Sequence, residues 1–295
     1  MGARRLWPLP AAQGIVSDRM SAALARRYQL LAFFALTFAI SWTLWLGLAA
    51  MALPITTTTG AVLNVIAIFG PSIGAVLLTI RLGQFRELLA GFSLSRLSGQ
   101  WSVVALTLPM ALMAIAIAIS VALLRTPSPH LTRGVLGVLL IEFVRILFLG
   151  GPLGEELGWR GFALPRLQQH RTALTSGVLL GLIWGLWHIP LYFVPGTGQY
   201  EVLRSGTSPA FAIGGFVGWT IGLSVLFTWL FNQTRSSLVV VILFHAAVNL
   251  AAFLPAAVGS AGAASLLNVL LTWIVAIMVA VRLGRTRLAT PQRGT

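Results

Sequence analysis

Residues 150–171 read GGPLGEELGWRGFALPRLQQHR and hold two adjacent glutamates, Glu155 and Glu156, with Arg160 one helical turn after the second. Long apolar runs lie on both sides of this stretch. The whole chain has only six acidic residues, and half of them fall between positions 142 and 156. Carboxylates in an apolar segment are costly, so their presence there marks a candidate functional site. We therefore take this glutamate stretch as the centre around which the rest of the chain is organised.

The composition is that of a polytopic membrane protein. Charged residues make up only 9% of the chain, whereas about a quarter is usual in soluble domains. There is no cysteine, which excludes disulfides, cysteine metal ligands and cysteine nucleophiles. The net charge of +14 comes from arginine, and we assign it to cytoplasmic loops rather than to nucleic-acid binding.

The apolar runs predict an all-α fold with eight membrane spans, each near the roughly 20 residues that cross a bilayer. The expected spans are 28–53, 61–80, 101–124, 134–151, 174–194, 210–231, 237–254 and 263–282. The first run is too long for the core of a signal peptide, so it reads as an uncleaved helix. The domain division is then a leader (1–27), a transmembrane bundle (28–283) and a basic, disordered tail (284–295).

The distribution of arginine predicts the orientation of the bundle. With both termini in the cytoplasm, the outer loops carry few arginines: Arg125, Arg133 and Arg204. The cytoplasmic segments carry most of the others: Arg4, Arg5, Arg19, Arg26, Arg27, Arg81, Arg86, Arg96, Arg160, Arg166, Arg171, Arg235, Arg282, Arg285, Arg287 and Arg293. This asymmetry follows the positive-inside rule, and it places the glutamate stretch at the cytoplasmic side of the fourth span. The expected location is the plasma membrane.

The two glutamates are expected to have different partners. Residues i and i+4 share a face of a helix, so Glu156 can pair with Arg160 while Glu155 points elsewhere. An arginine beside one carboxylate leaves the other free for general-base chemistry. The alternative is a plain salt bridge at the end of a helix. Deeper in the fourth span, Glu142 and Arg145 are expected to neutralise each other.

Two histidines lie inside predicted spans. His188 follows Trp184 by four residues, so the indole can form a wall of its pocket, although a hydrogen-bonded core histidine is the alternative reading. His245 and Asn249 share one face of the seventh span, where they can stabilise an oxyanion or simply bridge two helices. The other two histidines lie in predicted loops and are expected to face solvent: His130 and His170.

The predicted topology does not bring these residues to one depth. Glu155 would lie near the cytoplasm, His188 late in its outward span and His245 near the middle of its own. Either the glutamate helix continues beyond the predicted end of its span, or the fifth span begins deeper than its apolar run indicates.

Three motifs together resemble the CPBP family of intramembrane proteases, which includes CAAX prenyl endopeptidases of the Rce1 type and bacteriocin-immunity proteins. The motifs are Glu155-Glu156 followed by Arg160-Gly161, then Trp184 followed by His188, then His245 followed by Asn249. They cover about residues 135–255 in the order of the family. The second motif commonly begins with phenylalanine, and here it begins with tryptophan.

The resemblance implies an eight-helix bundle that encloses a polar, water-filled cavity, with a glutamate helix that reaches well into it. It also implies that Glu155 activates a water molecule and that His188 positions this water. His245 and Asn249 would stabilise the oxyanion, and the ion pair of the second glutamate with the arginine would hold the geometry of the site.

The expected function is that of an intramembrane endopeptidase acting on a membrane-associated protein or peptide. The alternative is a non-catalytic membrane scaffold or immunity-type protein that binds a partner through the same cavity. A mechanism without a metal is favoured, because a carboxylate base with histidine and asparagine already supplies the groups that amide hydrolysis needs. Two histidines and two glutamates leave zinc open as a cofactor.

Overall fold

The computed structural model describes residues 12–130, 134–258 and 262–285, and every regular element in these ranges is helical. The expectations for the first eleven residues and for most of the basic tail lie outside them. The α-helices are α1 (Ala12–Ala50), α2 (Thr58–Ile68), α3 (Gly70–Arg81), α4 (Phe85–Leu89), α5 (Gly99–Leu124), α6 (Val135–Leu149), α7 (Pro152–Glu156), α8 (Leu164–Gln168), α9 (Ala173–Trp187), α10 (Gly198–Arg204), α11 (Pro209–Gln233), α12 (Leu238–Ala257) and α13 (Ala263–Arg285).

The described helices form a multi-pass membrane bundle, as predicted. Within the described ranges, seven segments are long and apolar enough to cross a membrane, and each is a single helix or a continuous run of helices. An eighth span results if α2 and α3 are counted together, since they pass the same test as a pair bent by 46°. Exposed leucine, isoleucine and valine side chains cover the outward faces of α5, α6 and α13, where they can contact lipid.

The fourth span is longer than predicted. The sequence predicts an end at about position 151, where the apolar run meets the glutamate stretch, but the apolar helical run continues to Gln168. Proline fits the first turn of a helix because its missing N–H would have no partner there, so α7 restarts at Pro152. The glutamates thus lie inside the span. Of the two explanations for the mismatch in depth, the longer glutamate helix is correct.

Glycines allow the glutamate helix to lie directly against the bend between α2 and α3. A β-carbon at Gly158 would stand 2.5 Å from the carbonyl oxygen of Pro71, and one at Gly154 would stand 2.8 Å from the Phe69 ring. Real side chains do not tolerate such distances, so the backbones can approach this closely only where these positions are glycine. This contact fixes the helix that carries both carboxylates.

A second glycine stripe brings α9 against α11. Gly177, Gly181 and Gly185 are spaced four residues apart and face α11, where a β-carbon on Gly181 would stand 2.6 Å from the Ile221 Cα. Small residues at this spacing let two membrane helices approach closely. Trp184 follows Gly181 on α9, so the same contact holds its indole deep in the bundle, where it is 4% exposed.

Candidate active site

The segment before the glutamates is a sharp break in the helix. Gly151 has a φ of +118°, which L side chains rarely adopt, and Pro152 begins the new helix. After α7 the backbone widens into a π-helix over Leu157–Ala163. Single turns of π-helix are uncommon and are often found at functional sites. Both irregularities lie within residues 150–171, the stretch that holds the two glutamates.

Glu156 is the centre of a fully buried ion cluster. Its Oε1 accepts a hydrogen bond from Arg160 Nη1 at 2.9 Å and another from His245 Nδ1 at 2.7 Å. The side chains of Glu156 and Arg160 are both 0% exposed. The predicted pairing of these two residues is confirmed, and His245 is an additional partner.

Aromatic rings enclose the guanidinium group of Arg160. Its Cζ lies 4.0 Å from the ring centroid of Phe227 and 4.9 Å from that of Trp184. Cation–π contacts of this kind are strongest where water is excluded. The arginine therefore lies inside the bundle, and its assignment to a cytoplasmic segment was wrong: it neutralises a buried carboxylate and does not belong to a surface loop.

Glu155 has a separate set of contacts. Its Oε2 accepts a hydrogen bond of 2.6 Å from the indole N–H of Trp184. Its Oε1 faces Gly151, since a β-carbon there would stand 2.5 Å from Oε1 and 3.6 Å from Asn249 Nδ2. The first glutamate thus points away from the ion cluster, as predicted, and towards the glycine break and the asparagine.

The orientation of His188 is fixed by its own helix. Its Nδ1 lies 2.7 Å from the carbonyl oxygen of Trp184. A carbonyl oxygen only accepts, so Nδ1 carries the hydrogen and Nε2 of the neutral ring is an acceptor. The ring is 9% exposed and contacts Trp184, Trp187 and Phe216. These contacts hold one acceptor nitrogen in a fixed direction.

His245 is oriented by the ion cluster in a similar way. Its Nδ1 donates to the Glu156 carboxylate, which leaves Nε2 for another partner. The ring lies 5.5 Å from that of Trp184, which in turn lies 5.6 Å from the ring of His188. The indole therefore stands between the two imidazoles and also holds the carboxylate of Glu155.

Asn249 completes the group of side chains. Its Nδ2 donates to the carbonyl oxygen of Gly150 at 3.0 Å, so it ties α12 to the break before the glutamates. An amide nitrogen has two hydrogens, and the second is available to another acceptor. All six residues predicted for the site thus lie together: Glu155, Glu156, Arg160, His188, His245 and Asn249.

Other predicted polar residues lie elsewhere. Glu142 and Arg145 pair with each other on α6 at 2.7 Å, which confirms their mutual neutralisation. Their side chains are nevertheless 21% and 55% exposed, so the pair is not buried within the bundle as expected. His130 and His170 are exposed, as predicted.

The sequence left zinc open as a cofactor. Within the described ranges, no group of three or more histidine, cysteine, aspartate or glutamate side chains is arranged to hold a metal ion. Nδ1 of each histidine and Oε1 of Glu156 are hydrogen-bonded within the protein, and Nε2 of each histidine remains.

Trp184 is the residue whose role the sequence underestimated. Its position four residues before His188 predicted an aromatic wall, but its indole N–H also donates to Glu155. The sequence feature that could have indicated this role is the tryptophan itself, since a phenylalanine here would form the wall but has no N–H to donate. The role of Gly151 was not predicted either, because a positive φ cannot be read from one glycine among thirty.

The comparison with protein families gives one match. Residues 137–251 match the family described as Type II CAAX prenyl endopeptidase Rce1-like. The matched segment begins in α6, ends in α12 and contains every residue of the candidate site. It agrees with the resemblance drawn from the three motifs.

This chain is also similar to a curated protein with a related name. CAAX prenyl protease 2 of Methanococcus maripaludis is 35% identical over 111 residues. The alignment covers 37% of this chain and 40% of the relative. The chain thus matches less than half of the length of that protein.

Proposed function

We propose that this chain, in which residues 137–251 match the Rce1-like endopeptidase family, is an intramembrane endopeptidase that cleaves a membrane-associated protein or peptide. The observation that carries the proposal is the separation of the two glutamates. Glu156 is neutralised by Arg160 and His245, while Glu155 is held by Trp184 with one oxygen directed to the glycine break. We therefore assign the support of the site to Glu156 and the chemistry to Glu155.

In the proposed reaction Glu155 is the general base. Its carboxylate removes a proton from a water molecule while the water oxygen attacks the carbonyl carbon of the peptide bond. The tetrahedral intermediate carries a negative oxygen. Glu155 then gives the proton to the amide nitrogen as the C–N bond breaks, which releases an acid and an amine and restores the carboxylate.

The other residues position water and charge. His188 Nε2 accepts the second hydrogen of the attacking water, because its Nδ1 is committed to the Trp184 carbonyl. Asn249 donates its second amide hydrogen to the oxyanion. His245 also stabilises the oxyanion through Nε2, when that nitrogen carries a hydrogen. Each role uses a hydrogen or a lone pair beyond those already engaged by the hydrogen bonds described above.

The proposed mechanism uses no metal, since the protein groups named above supply both the base and the oxyanion donors. Purified protein is therefore expected to keep its activity after exhaustive chelation. Loss of activity on stripping and its return with stoichiometric zinc would contradict this part of the proposal.

The experiment that tests the function compares membrane peptides from cells that contain the active protein with those from cells that contain Glu155→Gln. A Glu201→Gln variant is the control, because Glu201 is exposed and lies on α10, which carries no residue of the site. We expect cleavage products with the wild-type and control proteins that are absent with Glu155→Gln. Identical peptides in all three samples, with a partner that copurifies with each, would favour the non-catalytic scaffold.

A further inference from the structure

The outward face of α6 carries charge where lipid would be expected. Glu142 lies in the middle of this fifteen-residue helix, and Arg145 follows one turn later. The arginine side chain is 55% exposed. Around it are exposed apolar residues, among them Ile141 at 69% and Phe148 at 53%. A charged pair is costly at mid-helix in a bilayer, so such residues normally face protein or a water-filled cavity.

The opposite face of α6 is already occupied within the bundle. Phe143 and Ile146 pack there with residues of α12 such as Ala246 and Leu250. The exposed residues Val138, Ile141, Arg145 and Phe148 follow one another at intervals of three, four and three residues. This is the spacing of the core positions of a two-stranded coiled coil. The uncovered face thus has the pattern of a helix–helix seam.

The charges on this face are complementary to a second copy of the same face. Copies of one chain insert in the same orientation, so two α6 helices would run parallel around a two-fold axis. On its own helix Arg145 Nη2 lies 2.7 Å from Glu142 Oε2, so the guanidinium group stands at the level of Glu142. Each arginine can then reach Glu142 of the partner subunit as well as its own. Four charges of alternating sign would neutralise one another.

We propose that the α6 face defined by Val138, Ile141, Arg145 and Phe148 is the interface of a homodimer in the membrane. The dimer would enclose the ion pair between two helices and remove it from lipid. It would also brace the start of the glutamate helix, since α6 ends at Leu149 immediately before the glycine break. The proposal does not depend on proteolytic activity.

Disulfide cross-linking tests this interface directly, because the natural chain contains no cysteine. Ile141→Cys and Leu140→Cys are compared in full-length protein, in native membranes and in nanodiscs. Both side chains are 69% exposed, but Leu140 faces an apolar groove of about 270 Å³ between α5, α6 and α12. We expect most of the Ile141→Cys protein, and only a trace of the Leu140→Cys protein, to form covalent dimers on oxidation.

Charge reversal gives a second, independent readout with the Ile141→Cys background. Glu142→Arg alone and Arg145→Glu alone each place like charges at the seam, so each should lose the cross-link. When the Glu142→Arg and Arg145→Glu proteins carry different tags and are expressed together, the cross-link should return as a mixed dimer. A protein that carries both substitutions should form the cross-link with itself. Equal cross-linking at positions 140 and 141, a cross-link only to a different protein, or no recovery in the mixture would overturn the proposal.

Discussion

At the scale of single side chains, the two neighbouring glutamates differ because their neighbours differ. Glu156 receives two hydrogen bonds on one oxygen, both from groups that can carry positive charge. Glu155 receives a neutral indole N–H. Substitutions at each position should therefore fail in different ways, one through stability and the other through chemistry.

Replacing Glu156 with glutamine should lower stability. The variant keeps the shape of the side chain but leaves Arg160 without a counter-charge, and losing one partner of a buried ion pair costs about 3–5 kcal/mol. The thermal midpoint in detergent should fall, and adding Arg160→Met should recover part of the loss. Glu201→Gln is the control, since exposed substitutions usually change stability by less than about 0.5 kcal/mol. An unchanged midpoint for Glu156→Gln would refute this assignment.

Replacing Trp184 with phenylalanine should lower turnover without unfolding the protein. The change keeps an aromatic wall but removes the donor to Glu155, and a hydrogen bond to a charged group contributes about 1.5–3 kcal/mol. We expect kcat to fall about 10- to 100-fold while KM changes little. In the Glu155→Gln background the same change should add little further loss, which distinguishes positioning of the base from a general structural effect.

Trp219→Phe is the matched control for this experiment. Trp219 lies on α11, and its indole nitrogen has no hydrogen-bond partner among the described residues. The control variant should lose some packing, but its kcat should not fall as that of Trp184→Phe does. Equal losses of kcat in the two variants would mean that the indole of Trp184 acts only by its volume.

At the scale of helical elements, the break at Gly150–Gly151 determines where the first glutamate points. Asn249 holds the Gly150 carbonyl from α12, and the positive φ of Gly151 turns the chain into α7. The carboxylate then lies against the glycine where no side chain intervenes. An element of the fold, rather than a single contact, thus sets the direction of the Glu155 carboxylate.

Gly151→Ala should displace the base. A residue other than glycine at this φ costs about 1–3 kcal/mol, and the new methyl group would stand 2.5 Å from Glu155 Oε1. We expect a large loss of turnover with a lower thermal midpoint. Gly137→Ala is the control, because a β-carbon at Gly137 meets nothing within 4 Å. Full activity of Gly151→Ala would show that the break does not position the carboxylate.

At the scale of the whole molecule, the loops are sorted between the two ends of the bundle. The N–H of Ile55 donates to the carbonyl of Pro195, which joins the first loop to the segment before α10. At the other end Arg166 donates to Gln84. With the arginine asymmetry, this sorting predicts that reporter fusions at Thr57 and Arg204 lie outside and one at Gln84 inside. A cytoplasmic signal from the reporter at Arg204 would contradict this topology.

The helical class and the pairing of side chains on one face of a helix could be predicted because both depend on local signals. Apolar length reveals membrane helices, and the i+4 spacing of Glu156 and Arg160 or of His245 and Asn249 puts each pair on one face. The length of the fourth span could not be predicted, since Pro152 after two glycines reads equally as an end or as a restart. Contacts between distant helices, such as the bond from Trp184 to Glu155, depend on packing that one sequence does not specify.

The central claim is that Glu155 activates the hydrolytic water, and the most direct measurement is the cleavage rate of purified Glu155→Gln protein beside its thermal unfolding. The substrate is a membrane peptide identified in cells that contain the active protein. Glutamine keeps the volume and can still accept from Trp184, but it cannot take a proton from water. We predict a normal thermal midpoint with turnover reduced about 10²- to 10⁴-fold, the usual contribution of a general base. Cleavage at the wild-type rate by the folded variant would contradict the account.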